Sequence, residues 1–281
     1  MWANELQIKF HLIHEHNSRL GQLEHKKSEA LNRAWNQYGK VADIVICLDA
    51  DTVLPANAVA DWEKEFMNDT PPGTKGELAK PLGGSSSKFT MLGGDFFTRL
   101  QRAEFAKWTD TALRRKRTSV LAGTGCAISG EALRQVARKH DREGPWVYGS
   151  QVEDFELTYR IRQLGYRCQV SPSVRAYTDS MKTVPALWNQ RMKWQVGTVE
   201  DLLSIGINRL TLFDWWQQAS GLFMAFMRYV WVGLLALLAL SERIQFSLVW
   251  MVIVPLSFAG LEVVSALRIP HRDTWDIVFA G

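Results

Sequence analysis

Residues 44–51, Ile-Val-Ile-Cys-Leu-Asp-Ala-Asp, decide how this 281-residue chain is read. Ile44 to Leu48 is a continuous apolar run with β-branched residues, the pattern of a strand covered on both faces as in a parallel sheet. It stops at Asp49-Ala50-Asp51, and Pro55 then precedes a helical pattern from Ala58 to Met67. Upstream, Ser28 to Tyr38 sets Leu31, Ala34, Trp35 and Tyr38 on one helical face and closes at Gly39. Helix, strand, acidic turn and helix in that order make an α/β pattern, and in such sheets ligands meet the carboxyl ends of the strands.

Outward from this core, Ile8 to Ile13 reads as a short strand, and Asn68–Gly76 and Gly83–Ser87 read as loops. Phe97, Leu100, Phe105, Trp108 and Ala112 share a helical face, Gly123-Thr124-Gly125 interrupts an apolar stretch, and Gln151–Leu164 reads as a helix closed by Gly165. A net charge of +4, without a basic stripe carrying interleaved aromatics, argues against a nucleic-acid partner. The dense run Arg114-Arg115-Lys116-Arg117 reads as a solvated loop after a helix, with contact to anionic lipid headgroups as the alternative. Cys47, Cys126 and Cys168 form no Cys-x-x-Cys pair and read as reduced thiols, not as a disulfide framework or zinc site.

The last third changes character. Gly221–Leu240 is apolar except for Arg228, and Phe246–Leu267 is apolar except for Glu262. At about 1.5 Å per residue, some 20 residues span a hydrocarbon core of roughly 30 Å. A transmembrane hairpin is therefore expected, with Arg209, Arg268 and Arg272 on the cytoplasmic side, Trp215, Trp216 and Trp231 in an interfacial belt, and Arg228 and Glu262 turned to the protein interior. Three parts are expected: a catalytic domain over 1–185, amphipathic interface helices over 186–215, and two transmembrane helices over 216–270. Membrane lipid is then a partner, and the catalytic part faces the cytoplasm.

Three motifs carry chemistry. Asp49 and Asp51, one residue apart at a strand end, can hold Mg²⁺ or Mn²⁺ while leaving coordination positions open for a diphosphate. An ordinary acidic turn has the same spacing. In Ser150-Gln151-Val152-Glu153-Asp154, a capping box from Ser150 to Glu153 accounts for Glu153 and leaves Asp154 unexplained. An ionised carboxylate in the first helical turn is commonly just a helix-start acid, and it also suits a base that accepts a hydroxyl proton. Gln190-Arg191-Met192-Lys193-Trp194 puts cations, an amide and an indole on one or two helical turns. That set suits a departing diphosphate and a sugar face, and equally a helix lying on a membrane surface.

Taken in order, these motifs resemble the family 2 glycosyltransferases, the GT-A-fold group that includes cellulose, hyaluronan and chitin synthases. Lys27 to Asn32 is similar to the family's Lys-x-x-Ala-Leu-Asn segment, Asp49-Ala50-Asp51 to its DxD, Glu153-Asp154 to its Glu-Asp pair, and Gln190 to Trp194 to its QxxRW. Gly123-Thr124 falls where the family has a small-residue turn near the acceptor. The resemblance implies an α/β fold, a partial GT-A, Rossmann-like mixed sheet flanked by helices. It also implies a nucleotide-sugar donor, with a UDP-sugar expected, a saccharide or lipid acceptor, and single-displacement chemistry that inverts the anomeric centre.

The same resemblance assigns roles. Asp154 is the general base, Asp49 and Asp51 hold the metal, and Lys27, Glu153, Gly123, Thr124, Gln190, Lys193 and Trp194 bind substrate. Lys193 stands where the family has Arg, which keeps the charge and loses the planar fork. The family pattern also places two more strands, with an acidic turn that reads uridine, ahead of Ile8. The competing expectation is a non-catalytic remnant, or an assembly partner of a membrane synthase.

Overall fold

The computed structural model describes residues 26–68, 75–240 and 274–278, with scattered positions between 256 and 269. The expected strand at Ile8–Ile13 lies outside the described residues. The elements in order are α1 (Lys26–Gln37), β1 (Ile44–Cys47), α2 (Ala58–Met67), β2 (Leu82–Met91), α3 (Phe96–Arg115), β3 (Cys126–Ser129), α4 (Gly130–Lys139), α5 (Glu153–Gln163), β4 (Arg167–Thr178), α6 (Val184–Ile205), α7 (Leu212–Leu240) and α8 (Thr274–Val278).

The four strands form one mixed sheet in the order β1-β3-β2-β4. β1 and β2 each pair antiparallel with β3, and β2 runs parallel to β4. The apolar run at Ile44 is therefore a strand, as expected, but its one partner among the described residues is antiparallel and its residues are half-buried. An unbroken apolar run reports burial and says nothing of the direction of the partner.

β2 corrects the sequence reading more sharply. Gly83–Ser87, expected as a loop, is a buried strand interior with Ser85, Ser86 and Ser87 fully enclosed. Small residues are required there. A Cβ on Gly83 would stand 2.4 Å from Ile161 of α5, and one on Gly84 would stand 2.3 Å from Leu121. Two of the buried polar groups in this region are satisfied from α2, where Glu65 accepts from Ser85 at 2.6 Å and also from Ser171.

Helix ends follow local chemistry. Asp95 accepts from the Thr98 N–H to start α3, Ser129 from Ala132 to start α4, and Thr183 from Ala186 to start α6. α3 ends with Lys116 in the left-handed region, and Arg114 and Arg115 complement the carbonyl end. The basic run is thus partly the last helical turn, with the Arg115 guanidinium 4.2 Å from the Phe213 ring centroid. The core lies on both faces of the sheet. Trp35, Leu133, Val136, Leu157 and Ile161 form one cluster, and Trp62 packs with Ala127 and Val174 in another. The thiols are free, with Cys126 and Cys168 buried, Cys47 half-buried, and Cys47 opposite Cys126 in the β1–β3 register.

The expected transmembrane hairpin is not found: among the described residues no helix is long and apolar enough to cross a membrane. Residues 221–240 continue a helix that begins at Leu212 and includes Asp214, Gln217 and Gln218. Most of 246–267, with Glu262, and the side chain of Arg228 lie outside the described residues. The expected interface segment forms α6, a turn at Gly206, and the first residues of α7.

Candidate active site

The site is built at the end of β1. Lys27, in the first turn of α1, places its Nζ 3.1 Å from Asp49 Oδ1 and 2.9 Å from Glu153 Oε1. Burial opposes the charge on Lys27, but Glu153 and Asp49, and more weakly Asp154, outweigh it and hold the ammonium well above the usual lysine range. Gly123 closes over this cluster: a Cβ there would lie 2.7 Å from Lys27 Nζ and 3.1 Å from an Asp49 oxygen. Four sequence-predicted residues from separate segments thus meet at one point. Beside Gly123, the hydroxyl of Thr124 is buried with no partner.

Asp154 is half-buried next to the cluster, and its carboxylate accepts from the Phe155 N–H at 2.9 Å. Burial first, and then the neighbouring Glu153 charge, push its pKa up to about 6, with Lys27 opposing. Asp51 is exposed within the turn that the Thr52 N–H closes on the Asp49 carbonyl at 3.1 Å.

Three supports of this arrangement were not predicted from sequence. Asn32, fully enclosed, donates to the Trp146 carbonyl at 2.7 Å and accepts from the Trp146 N–H at 3.0 Å. This clamps α1 to the loop that leads into α5 and so brings Lys27 to Glu153. Thr158 accepts from the Leu121 N–H at 2.8 Å and donates to the Asp154 carbonyl, tying α5 to the approach to Gly123. Ser150 does not cap α5. It donates to Asp201 of α6 at 2.7 Å and accepts from the Val152 N–H, while Glu153, freed from the expected capping box, meets Lys27. The Asn32 and Ser150 side chains are visible in the sequence, but their partners are far away in it.

The cluster at Gln190, Lys193 and Trp194 sits on α6, and among the described residues no hydrogen bond or ion pair joins it to the carboxylates. Gln190 accepts from Arg191 at 3.0 Å, and Arg191 reaches Glu104 of α3 at 2.6 Å and stacks over Trp194 with 4.6 Å to the ring centroid. Trp194 meets Phe105 edge-on at 6.2 Å, and Lys193 is exposed. One turn further on, Gly197 packs on Gln151 and Val152, where a Cβ would come within 3.0 Å. α6 is therefore braced against the turn that presents Asp154.

A divalent cation fits the acidic turn in part. Asp49 and Asp51 offer two carboxylates, and no group of three His, Cys, Asp or Glu side chains able to hold a metal occurs among the described residues. Two carboxylates would leave coordination positions for further oxygen donors, as an ion shared with a diphosphate requires.

The family model described as glycosyl transferase family group 2 matches residues 44–263. A poly-beta-1,6-N-acetyl-D-glucosamine synthase of Staphylococcus aureus (strain COL) is 28% identical over 177 residues, covering 63% of this chain and 40% of the relative. The synthase of the same name from Staphylococcus epidermidis is 26% identical over 209 residues, 71% of this chain and 46% of the relative. This chain thus spans less than half the length of these curated relatives. In fold, it is similar to a mannosyltransferase from Pyrobaculum calidifontis solved with GDP-Man and Mn²⁺, with a TM-score of 0.54 and 16% identity over 99% of this chain and 70% of the other.

Proposed function

This chain belongs to glycosyl transferase family group 2, and from that premise we propose that it is the catalytic part of an inverting glycosyltransferase building a β-linked polysaccharide or glycolipid. The observation that carries the reading is Lys27 bridging Asp49 and Glu153 beneath Gly123, with Asp154 alongside. The donor is a UDP-sugar, and the names of the Staphylococcus relatives direct the choice to UDP-N-acetylglucosamine.

The residues divide the work. Asp49 and Asp51 hold a Mg²⁺ or Mn²⁺, whose chemistry when bound is to neutralise charge on the diphosphate. Lys27 adds a fixed cation that stabilises the departing diphosphate, and Glu153 keeps that cation in place. Gly123 leaves room for the donor against Asp49, and Thr124 follows it in the same turn. Asp154 takes the proton of the acceptor hydroxyl as that oxygen attacks the anomeric carbon opposite the leaving group, so an α-linked donor yields a β-linked product. Gln190, Lys193 and Trp194, on the helix braced against the Asp154 turn, serve the acceptor and leaving-group side.

We further propose attachment to a membrane with the catalytic part on the cytoplasmic side. Trp188, Trp216, Phe223, Phe226, Trp231, Leu234, Leu237 and Leu240 are exposed along α6 and α7, an apolar surface of the kind that meets lipid. The test is incubation with labelled UDP-N-acetylglucosamine, UDP-glucose and GDP-mannose in the presence of Mn²⁺, followed by separation of lipid and polymer fractions. Label from a UDP-sugar in either fraction is expected. No transfer from any donor, with no donor binding by calorimetry, overturns the reading and leaves a non-catalytic assembly partner.

A further inference from the structure

A cleft of about 210 Å³ lies between α3 and the outer halves of β2 and β4, and none of the catalytic candidates lines it. Lys88 and Arg175 are direct neighbours in the β2–β4 register, and Thr90 follows Lys88 on the same strand face. From α3, Arg102 and Thr109 share a helical stripe that faces the same cleft. Lys88 Nζ donates to the Pro172 carbonyl, and neither Lys88 nor Arg175 is paired with a carboxylate among the described residues. Asp110, also in the lining, is engaged by Arg114 at 3.1 Å.

Three polar atoms of the lining are buried without a partner: Thr90 Oγ1, Thr109 Oγ1 and Arg102 Nε. The two threonines are 8% and 7% exposed, so water offers them little compensation. The rest of the Arg102 guanidinium is held by Asp276 at 3.1 Å and by the Gly93 carbonyl, which fixes the direction of Nε. Burial first, and then the Arg175 charge, lower the Lys88 pKa, with Glu65 only partly offsetting them. Two adjacent half-buried cations and three orphaned polar atoms in one cleft are unfavourable unless an anion sits among them.

We propose that this cleft binds a phosphate group. A carboxylate accepts mainly in its own plane, whereas the tetrahedral oxygens of a phosphate can accept from strand and helix sides together. The ammonium of Lys88 and the guanidinium of Arg175 supply the charge from the strand side, and Arg102, Thr90 and Thr109 line the same cleft. The shared chemistry covers a free phosphorylated metabolite and the headgroup of an anionic lipid.

The test compares the chain with Lys88→Gln and Arg175→Gln in metal-free buffer. Thermal unfolding is followed against inorganic phosphate and pyrophosphate. Flotation is followed with phosphatidylcholine vesicles, with and without phosphatidylglycerol. Without anion, each variant is expected to be at least as stable as the parent, because one of two repelling cations is gone; this also reports that the variants fold. Phosphate or pyrophosphate is expected to stabilise the parent, with an apparent affinity at least tenfold weaker in each variant. That outcome assigns a free phosphate, whereas a loss confined to the extra retention on phosphatidylglycerol vesicles assigns a lipid headgroup. Parent and variants responding alike in both assays, or no response in either, overturns the proposal.

Discussion

Lys27 and Glu153 form an ion pair at 2.9 Å in which the lysine is half exposed and the glutamate side chain is 11% exposed. The pair joins the first turn of α1 to the first turn of α5, and everything proposed for the donor end of the site depends on it. Lys27→Met leaves Glu153 with an uncompensated, mostly buried charge. We expect about 1–2 kcal/mol of lost stability, given the partial exposure of the lysine. We also expect a drop of tenfold or more in nucleotide-sugar affinity, with Lys27→Arg recovering part of both. Thermal unfolding and calorimetry with a UDP-sugar check the two effects separately.

Gly123→Ala tests the space over the carboxylates. The added methyl would stand 2.7 Å from Lys27 Nζ and 3.1–3.2 Å from both Asp49 oxygens, so the lysine must swing away. Because its flexible end can move, folding is expected to be little affected, within about 1 kcal/mol. Donor binding and transfer are expected to fall at least tenfold, measured as KM for the donor and as kcat.

The pH profile tests Asp154. Its pKa is raised to about 6 by burial, so at lower pH it carries the proton that a base must lack. Transfer is therefore expected to fall as pH drops through about 6 and to level off above about 7. A kcat/KM profile that is flat from pH 5 to 8 is the contrary outcome.

Asp201 gives a stability prediction of defined sign. Burial first, and then Glu156 and Glu200, raise its pKa to about 6, against the Ser150 hydrogen bond. A carboxyl whose folded pKa lies above its unfolded value binds more protons when folded, so its ionisation destabilises the fold as pH rises from about 4 through 6. Asp201→Asn keeps an acceptor for Ser150 and removes that charge. It is expected to raise stability at pH 7.5, on the order of 1 kcal/mol after allowance for solvent screening, and to change little at pH 4. Paired melts at the two pH values decide it.

Much of the candidate site was legible because its chemistry is concentrated in short segments. Asp49 was marked by its spacing from Asp51 at a strand end, whereas Lys27, Gly123 and Glu153 were marked by the resemblance to the family's motifs, and the four meet in space. What composition concealed is the framework. Gly83 to Ser87 looks like a loop because glycine and serine favour turns. In the protein their smallness lets α5 and Leu121 press onto β2. The capping box at Ser150 is a sound local expectation overridden by long-range partners, Asp201 and Lys27. The expected hairpin rested on hydropathy, flanking arginines and a tryptophan belt, and among the described residues the helix that forms there mixes its apolar length with a polar first third.

The most direct measurement is sugar transfer by Asp154→Asn beside its donor binding. The amide keeps the shape of the side chain and cannot accept the hydroxyl proton. The account predicts a loss of transfer of at least 100-fold, in line with general-base catalysis, with nucleotide-sugar affinity within about threefold of the parent. Transfer at the parental rate by Asp154→Asn would contradict it.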